Sequence, residues 1–338
     1  MKVLCCPDKL KGVLPAAEAA RALSEGAGRV PGIAPEELPL ADGGEGTAEA
    51  LALALGGEWR SAWVSDALGR SVEARFVLLP GRRAVIESAE AIGLWRLERE
   101  ERDPIRATSA GLGELLVAAA EAGASEILVT LGGSATVDGG EGMRQALAGR
   151  SLDGVRLRAA YDVANPLLGV RGAARVFGPQ KGASSEQVKK LERRLAGIKE
   201  IRPFEDLPGA GAAGGLGAAL AALGAELVPG IDLVLEAVAF RTRLAGAALA
   251  ITGEGSVDAT SSAGKVPGGV AAACAETGVV CVVFGGRVRE GTEALYALGA
   301  TAIFPLSGRR EHARDDLVAL GEALGSLVAA FGPRGNEP

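Results

Sequence analysis

The sequence predicts an α/β protein of two domains: a doubly wound, Rossmann-like domain with a second, mixed α/β domain inserted into it. Short apolar runs alternate with helix-like segments near both ends of the chain, a pattern typical of parallel sheets. From Glu58 to Ser88 the pattern changes to period-two strands, with turns at Gly69 and Pro80-Gly81. We therefore expect an outer domain of residues 1–66 plus 246–338 and an inserted domain of residues 67–245.

The N-terminal segments place two charged glycine loops at strand ends. An apolar strand from Lys2 to Cys6 and a helix from Pro15 to about Val30 are followed by a strand from Glu37 to Leu40 and a helix to about Leu55. The loops that leave the two strands cover residues 8–12 and 42–46. In open α/β sheets, ligands bind at the carboxyl ends of the strands, so these loops are candidates for a binding site.

The rest of the chain is predicted as further strands and helices. In the inserted part we expect strands at 59–64, 72–79, 84–87, 126–131 and 156–161, helices at 108–122 and 185–198, and a helix that follows the glycine loop of residues 208–215 and ends near Leu223. In the last part we expect strands at 247–252, 279–284 and 301–305, helices ending near Thr277 and Phe331, and a frayed tail after Gly332.

Composition narrows the classes of function. A chain of 338 residues with 48% hydrophobic content can bury a sizeable core. A formal net charge of -6 argues against nucleic-acid and membrane partners, because surfaces that bind phosphate chains are basic. No apolar run is long enough for a secretion signal or a membrane span, so a cytoplasmic location is expected. The oligomeric state is not indicated by the sequence.

Cysteine and histidine usage disfavours several kinds of site. The four cysteines show no CxxC spacing, so buried free thiols are expected in place of zinc or redox sites. The single histidine, His312, lies among charged residues and is expected on the surface. Serine–histidine and cysteine–histidine catalysis is therefore disfavoured, and an acid or base must be Asp, Glu, Lys or Tyr.

A five-residue string occurs twice, as Asp42-Gly43-Gly44-Glu45-Gly46 and as Asp138-Gly139-Gly140-Glu141-Gly142. An acid followed by paired glycines and a helix start offers backbone N–H groups and the positive end of a helix dipole, which suit a phosphate. The alternative is a pair of helix-opening turns in a chain with 50 glycines. Because their flanking sequences differ, we interpret the copies as two different walls of one cleft.

Charged loop residues favour phosphoryl transfer. Lysine is rare, and four of the eight lysines lie in glycine- or proline-rich loops: Lys9, Lys11, Lys181 and Lys265. Loop lysines provide compact charges for phosphate, and acids at strand ends can hold Mg2+ or orient a hydroxyl. A G-x-G-x-x-G match from Gly209 to Gly214 lacks a preceding apolar strand, so an NAD-linked dehydrogenase is disfavoured.

Seven motifs, in order along the chain, resemble the bacterial type I glycerate kinase family. They are Pro7-Asp8-Lys9-Leu10-Lys11-Gly12, Ala41 to Thr47, Gly132 to Thr136 with Asp138-Gly139-Gly140, Asp162 with Asn165-Pro166-Leu167, Phe177 to Gly182, Pro208 to Gly217, and Thr252 to Gly255 with Asp258 and Gly264-Lys265. The resemblance spans essentially the whole chain. Departures are Lys9 and Val13 where the family usually has serines, Val137 in place of an asparagine, and a shortened stretch between Gly149 and Arg156.

The resemblance implies ATP- and Mg2+-dependent phosphorylation of D-glycerate in a cleft between two α/β domains. The expected product is 2-phosphoglycerate, with 3-phosphoglycerate as the alternative. A non-catalytic protein that binds small anions or nucleotides is the competing hypothesis, and it would bind ligands without releasing ADP.

The resemblance also implies roles for individual residues. Asp162 would orient the glycerate hydroxyl or accept its proton, unless it only forms an Asx turn, and Lys11 and Lys181 would neutralise the transferring phosphate or the glycerate carboxylate. The expected substrate-binding residues are Asp8, Asp42, Gly43 and Gly44. The expected nucleotide-binding residues are Gly132, Gly133, Ser134, Ala135, Thr136, Gly139, Gly140 and Lys265. Glu254 and Asp258 would hold Mg2+ or, alternatively, cap the following helix.

Overall fold

The computed structural model describes residues 1–150 and 152–331, so the tail predicted after Gly332 lies outside the described residues. The strands in this part of the chain are β1 (Lys2–Cys5), β2 (Ala34–Glu37), β3 (Glu58–Ser65), β4 (Ser71–Leu79), β5 (Arg83–Glu87), β6 (Glu126–Thr130), β7 (Arg156–Tyr161), β8 (Glu226–Pro229), β9 (Ala247–Glu254), β10 (Val280–Gly285) and β11 (Ala302–Pro305).

The helices alternate with these strands, which confirms the predicted α/β class. They are α1 (Ala16–Gly28), α2 (Thr47–Leu55), α3 (Ser88–Ile92), α4 (Ala110–Glu121), α5 (Glu141–Leu147), α6 (Ala173–Phe177), α7 (Ser185–Gly197), α8 (Ala212–Ala222), α9 (Gly230–Ala237), α10 (Phe240–Leu244), α11 (Val266–Thr277), α12 (Glu293–Leu298) and α13 (Ala313–Phe331). Within the described residues, none of the helices combines the length and the apolar composition that a membrane crossing requires.

The chain divides into two compact units, and the second is inserted into the first. Among the described residues, the outer unit contains residues 1–42 and 234–331, and the inserted unit lies within residues 43–233. The sequence-based boundary after residue 66 is too late, because β3 pairs with β4 along its whole length and so belongs to the inserted unit. The return to the outer unit likewise comes before the predicted residue 246.

The outer unit is built on a five-stranded parallel sheet in the order β11-β10-β9-β1-β2. From the central pair β1 and β9, successive strands are added in opposite directions, which is the doubly wound arrangement. Helix α1 packs on α13 and helix α11 packs on α12. The carboxyl ends of β1 and β9 therefore form the switch point of the strand order, where this class of fold binds ligands.

The second strand of the outer unit lies earlier than predicted. Strand β2 ends at Glu37, whereas the sequence indicated a strand from Glu37 to Leu40. The backbone N–H groups of Leu38 and Leu40 nevertheless donate to the carbonyls of Cys5 and Pro7, at 2.9 Å each. This extension continues alongside β1 and delivers Asp42 to the same edge of the sheet as Asp8.

The inserted unit contains a six-stranded mixed sheet in the order β3-β4-β5-β6-β7-β8. Strands β3, β4 and β5 are antiparallel, and β5 to β8 are parallel. The predicted change to a mixed sheet is thus confirmed. Because parallel strands end at the same edge, the residues that follow β5, β6 and β7 are brought side by side.

Close contact between α1 and α13 depends on glycine, which yields a stability prediction. A Cβ atom on Gly26 would lie 1.9 Å from the carbonyl oxygen of Val318, so Gly26→Ala forces the two helices apart. We expect a loss of about 1–3 kcal/mol, because overpacking outweighs the gain in helix propensity. The midpoint of thermal unfolding measures this loss.

Helix α1 supplies a matched control, Gly28→Ala. The nearest atom to a Cβ on Gly28 is Pro35 Cγ at 3.6 Å, an ordinary contact, so this variant should unfold at or slightly above the parent temperature. A Gly26→Ala variant as stable as Gly28→Ala would contradict the close approach of the helices.

Candidate functional site

Three carboxylates gather at the switch point of the outer unit. Asp8 follows β1, and its backbone N–H donates to the Gly253 carbonyl at the end of β9 (2.9 Å). Its Oδ1 accepts a hydrogen bond from the Lys9 N–H at 2.7 Å. Burial, together with the charges of Asp42 and Glu254, raises the pKa of Asp8 to about 7. The fold therefore brings together three acids that the sequence predicted for the site.

Glu254 is largely buried at the end of β9 and has two partners. Its Oε1 accepts a hydrogen bond from Ser261 Oγ at 2.6 Å, and its Oε2 lies 3.3 Å from Lys265 Nζ. Burial raises the pKa of the Glu254 carboxyl, while both partners oppose this effect. Lys265, predicted to bind nucleotide, is thus held beside the acidic cluster by an ion pair.

Asp258 caps a helical turn, as the alternative interpretation of this residue expected. Its Oδ1 accepts hydrogen bonds from Thr260 Oγ1 (2.7 Å) and from the Thr260 N–H (2.9 Å). The Asp258 N–H donates to Ser261 Oγ at 3.0 Å, which completes a capping box. These bonds to Thr260 keep the pKa of Asp258 below its usual value. Helix capping therefore accounts for an aspartate at position 258 without a role in metal binding.

The donors in the outer unit fit Mg2+ through Glu254 better than through Asp258. In residues 1–150 and 152–331, no group of three or more His, Cys, Asp or Glu side chains is arranged to hold a metal ion. In phosphate-handling sites, however, Mg2+ is commonly held by one or two carboxylates together with phosphate oxygens and water. A single buried carboxylate that faces two other acids meets this requirement.

Lys11 projects from the loop that follows Asp8, and its side chain is exposed. An isolated bridge between Leu10 and Leu14 closes this loop. A Cβ atom on Gly255 would lie 3.2 Å from the Lys11 backbone nitrogen, so the loop lies directly beside the chain that leaves β9. Lys11 is therefore a cation on the same edge of the outer sheet as the acidic cluster.

Asp162, Gly132 and Gly44 meet in the inserted unit. Asp162 is exposed and follows β7, and Gly132 follows the adjacent strand β6. A Cβ atom on Gly132 would lie 3.6 Å from Asp162 Oδ2 and 3.0 Å from Gly44 Cα. The structure thus places Gly132, a predicted binding glycine, beside both the predicted catalytic acid and Gly44.

Glu87 organises the first Asp-Gly-Gly-Glu-Gly string, a role that the sequence analysis missed. Its Oε1 accepts hydrogen bonds from the N–H groups of Gly46 (3.0 Å) and Ala48 (2.8 Å) at the start of α2. Gly43, upstream, has a φ of 88°, and a Cβ there would lie 2.4 Å from Gly230 Cα. The helix start is therefore occupied by an internal carboxylate, and Gly43 is required by sterics.

Asp138 organises the second string in a similar way. This buried carboxylate accepts hydrogen bonds from Ser109 N–H (2.9 Å), Ser109 Oγ (2.8 Å), Gly140 N–H (3.1 Å) and Gly142 N–H (3.1 Å). Gly139 N–H donates to the Gly214 carbonyl at 3.1 Å. Both glycines are buried, and a Cβ on Gly140 would lie 2.2 Å from Ala219 Cβ. The phosphate-binding role predicted for Gly139 and Gly140 therefore conflicts with their place in the core.

Lys181 is buried beneath the loop that follows β6, with only 3% of its surface exposed. Its Nζ donates to Ser134 Oγ at 3.0 Å and to the Thr136 carbonyl at 2.8 Å. Burial lowers the pKa of Lys181 to about 7, against the opposing effect of the Asp138 charge. Ser134, Ala135 and Thr136 are buried as well. In the predicted nucleotide loop, Gly132 is partly exposed and Gly133 is exposed.

The glycine-rich segment that leads into α8 and forms its first turn packs in the core of the inserted unit. A Cβ atom on Gly214 would lie 2.0 Å from the Thr136 carbonyl oxygen, and one on Gly209 would lie 2.4 Å from the Tyr161 ring. Close backbone packing thus explains why glycine is needed in this segment.

Comparison with known proteins identifies the family. The sequence profile of the glycerate kinase family matches residues 3–155 and 149–330. The chain belongs to the glycerate kinase family. It is 40% identical to the glycerate kinase of Bacillus subtilis (strain 168), over 93% of this chain and 94% of that protein. It is also 40% identical to the glycerate 2-kinase of Escherichia coli (strain K12), over 90% of each chain.

Solved structures agree with this assignment. A crystal structure from Salmonella typhimurium LT2, provisionally described as glycerate kinase 2, superimposes with a TM-score of 0.86 at 35% identity and covers 98% of each chain. Membership of the glycerate kinase family confirms the predicted enzyme class, an ATP-dependent small-molecule kinase.

The lowered pKa of Lys181 predicts how the stability of this glycerate kinase family member depends on pH. The pKa of Lys181 is about 7 in the folded chain and near 10.5 when solvated, so between these values the unfolded state binds more protons. The free energy of unfolding gained from this group should therefore rise with pH, by at most about 1.4 kcal/mol per pH unit.

Lys181→Met isolates this contribution. The difference in unfolding free energy between the parent and Lys181→Met, from urea titrations, should increase in favour of the parent from about pH 7 to about pH 10. Lys189→Met, at an exposed lysine on α7, is the control for replacing a lysine side chain with methionine. A flat difference for Lys181→Met would mean that the buried amine is charged throughout this range.

Proposed function

We propose that this chain transfers the γ-phosphoryl group of ATP to D-glycerate and forms 2-phosphoglycerate. The observation that carries the proposal is the position of Gly132 beside both the Asp162 carboxylate and Gly44, in a chain 40% identical to glycerate kinases over nine-tenths of its length. Asp162 is an exposed carboxylate next to a residue without a side chain, and we infer that a small hydroxylated acid reaches it there. It also provides an acceptor for the hydroxyl proton that is lost when the phosphoester forms.

The charges of the predicted site residues suggest a role for each residue in phosphoryl transfer. Phosphoryl transfer depends on positioning and on neutralising charge, and it requires little covalent chemistry from the protein. Asp162 would orient the attacking hydroxyl, and Lys11, an exposed cation, would attract the glycerate carboxylate or a phosphate. Lys181 is buried under the Gly132–Thr136 loop. We therefore propose that it stabilises the loop through its hydrogen bonds and contributes a positive charge close to the loop.

Asp8 and Asp42 suit the hydroxyl groups of glycerate better than its carboxylate. Like charges repel, and the raised pKa of Asp8, about 7, allows it to donate a hydrogen bond when protonated. When bound with ATP, Mg2+ would neutralise phosphate oxygens, and Glu254 is the carboxylate that we propose to hold it. Lys265, paired with Glu254, remains a candidate cation for the nucleotide.

The finer features of the function rest on the relatives and on the motifs. The name of the Escherichia coli relative, glycerate 2-kinase, favours 2-phosphoglycerate over 3-phosphoglycerate as the product. The seven ordered motifs favour the bacterial type I group within the family. A cytoplasmic location and the absence of nucleic-acid partners stay predictions from composition.

A direct assay tests the proposal. The purified chain is incubated with ATP, Mg2+ and D-glycerate, and phosphorus NMR resolves the two phosphoglycerate isomers. The proposal predicts 2-phosphoglycerate together with ADP, and omission of glycerate should stop ADP release. If glycerate and ATP bind but no ADP forms, the chain is a binding protein and the kinase proposal fails.

Asp162→Asn tests the catalytic assignment separately. The variant keeps the shape of the side chain but loses its basicity, so kcat should fall by about 10²–10⁴-fold while the KM values for ATP and glycerate change little. Asp315→Asn, at an exposed carboxylate on α13, should keep the parent kcat. Full turnover by Asp162→Asn would show that another group handles the proton.

A further inference from the structure

All three tryptophans of the chain lie in the inserted unit and are exposed to solvent. Trp63 is 73% exposed, Trp95 63% and Trp59 40%. Large aromatic rings gain most from leaving water, and tryptophan and arginine are enriched at the centres of protein interfaces. We call the surface formed by Trp59, Trp63, Arg75, Trp95 and Arg96 the tryptophan edge.

The tryptophan edge is held in place by its arginines. The Arg75 guanidinium lies 4.7 Å from the centre of the Trp59 ring, and the Arg96 guanidinium lies 4.5 Å from that of Trp95. Arg96 also donates to the Glu73 carbonyl at 2.9 Å, and Glu73 is the cross-strand partner of Trp63. Rings fixed in this way lose little entropy when a partner covers them.

Strand β3, which carries Trp59 and Trp63, is the edge strand of the six-stranded sheet. It pairs with β4 on one side, and no strand among the described residues pairs with its other side. At the end of β3 the Ser65 N–H donates to Glu114 on α4, and the preceding part of this edge strand is a template for another strand. Trp59, Ser61 and Trp63 share one face because side chains alternate along a strand.

We propose that β3 of a second copy of this chain pairs with β3 of the first, antiparallel, about a two-fold axis midway between the two Ser61 residues. A two-fold axis perpendicular to the sheet keeps each face on its own side, so the axis must lie midway between two copies of the same residue. Centred on Ser61, the pairing places Trp59 of each copy opposite Trp63 of the other. Glu58 then faces Val64, and Arg60 faces Ala62.

Charge disfavours the two registers nearest to this one. A pairing centred on Arg60 would place the two Arg60 side chains directly opposite each other. A pairing centred on Ala62 would place Glu58 of one copy opposite Asp66 of the other. Like charges directly opposite each other destabilise a sheet, whereas opposed aromatic pairs stabilise it. Of the three registers, only the one centred on Ser61 has aromatic pairs and no opposed like charges.

The size of the surface predicts a reversible dimer. A fully covered tryptophan buries roughly 150–250 Å², so the exposed parts of the four rings offer on the order of 500 Å². Small specific interfaces bury about 1,200 Å² in total, and the paired strands and their neighbours must supply the rest. Dimerisation is therefore expected to depend on protein concentration.

Sedimentation velocity of the full chain over a series of concentrations tests the dimer. The dimer fraction should rise with concentration, and Trp63→Glu should leave only monomer because it buries a charge against Trp59 of the other copy. Tyr296→Glu, at a 50% exposed aromatic residue of the outer unit, should dimerise like the parent. A parent that stays monomeric, or a dimer that survives Trp63→Glu, would overturn the proposal.

A thiol at position 61 tests the register. Opposed Cα atoms in an antiparallel pair are about 4.5–5.5 Å apart, within the span of a disulfide. Since the four natural cysteines are buried, Ser61→Cys treated with diamide should form a covalent dimer through the introduced thiols. Ser71→Cys, on β4 and exposed, should not. A dimeric Ser61→Cys protein that does not cross-link, or equal cross-linking of Ser71→Cys, contradicts the register.

Discussion

A carboxylate that is buried away from water must accept hydrogen bonds from the groups around it. In the inserted unit, Asp138 is such a carboxylate. Its four hydrogen bonds join the start of α4, through Ser109, to the turn that begins α5. Ser109 Oγ in turn accepts from the Met143 N–H at 3.0 Å. The charge of Asp138 also favours the protonated form of Lys181, which holds the loop after β6. Asp138 thus stabilises the segments that support the candidate site.

The two units show different uses of buried charge. In the inserted unit, Asp138 and Glu87 are satisfied by backbone N–H groups and keep loops in shape. In the outer unit, Asp8, Asp42 and Glu254 face one another, and the pKa values of Asp8 and Glu254 are raised. Buried acids that repel one another are suited to a ligand that carries hydroxyl groups or a cation. The structural acids therefore differ from the candidate binding acids in their surroundings: backbone N–H groups surround the structural acids, whereas the candidate binding acids lie near one another.

Residues that follow neighbouring parallel strands could be predicted to meet, and those linked by tertiary contacts could not. Strand β7 matches its predicted bounds, and Asp162 and Gly132 meet because they follow adjacent strands. The partnership of Ser109 with Asp138, 29 residues apart, leaves no periodic signal. The same is true of Glu87 and the start of α2. Because these partners leave no signal in the sequence, the helix start after each copy of the repeated string was predicted to be open to phosphate. In the structure, internal carboxylates occupy both helix starts.

The insertion also has a consequence for biosynthesis. Strand β1 is made first, but its neighbour β9 pairs with it in a register that joins Cys5 to Ile251. Every strand of the inserted unit leaves the ribosome before β9 does, so the outer sheet is completed last. Contacts between distant parts of the chain slow folding, and β1, which can pair with β2 early, keeps its other edge unpaired until β9 is made. The edge of β1 that faces β9 is therefore open to aggregation while the inserted unit is being made.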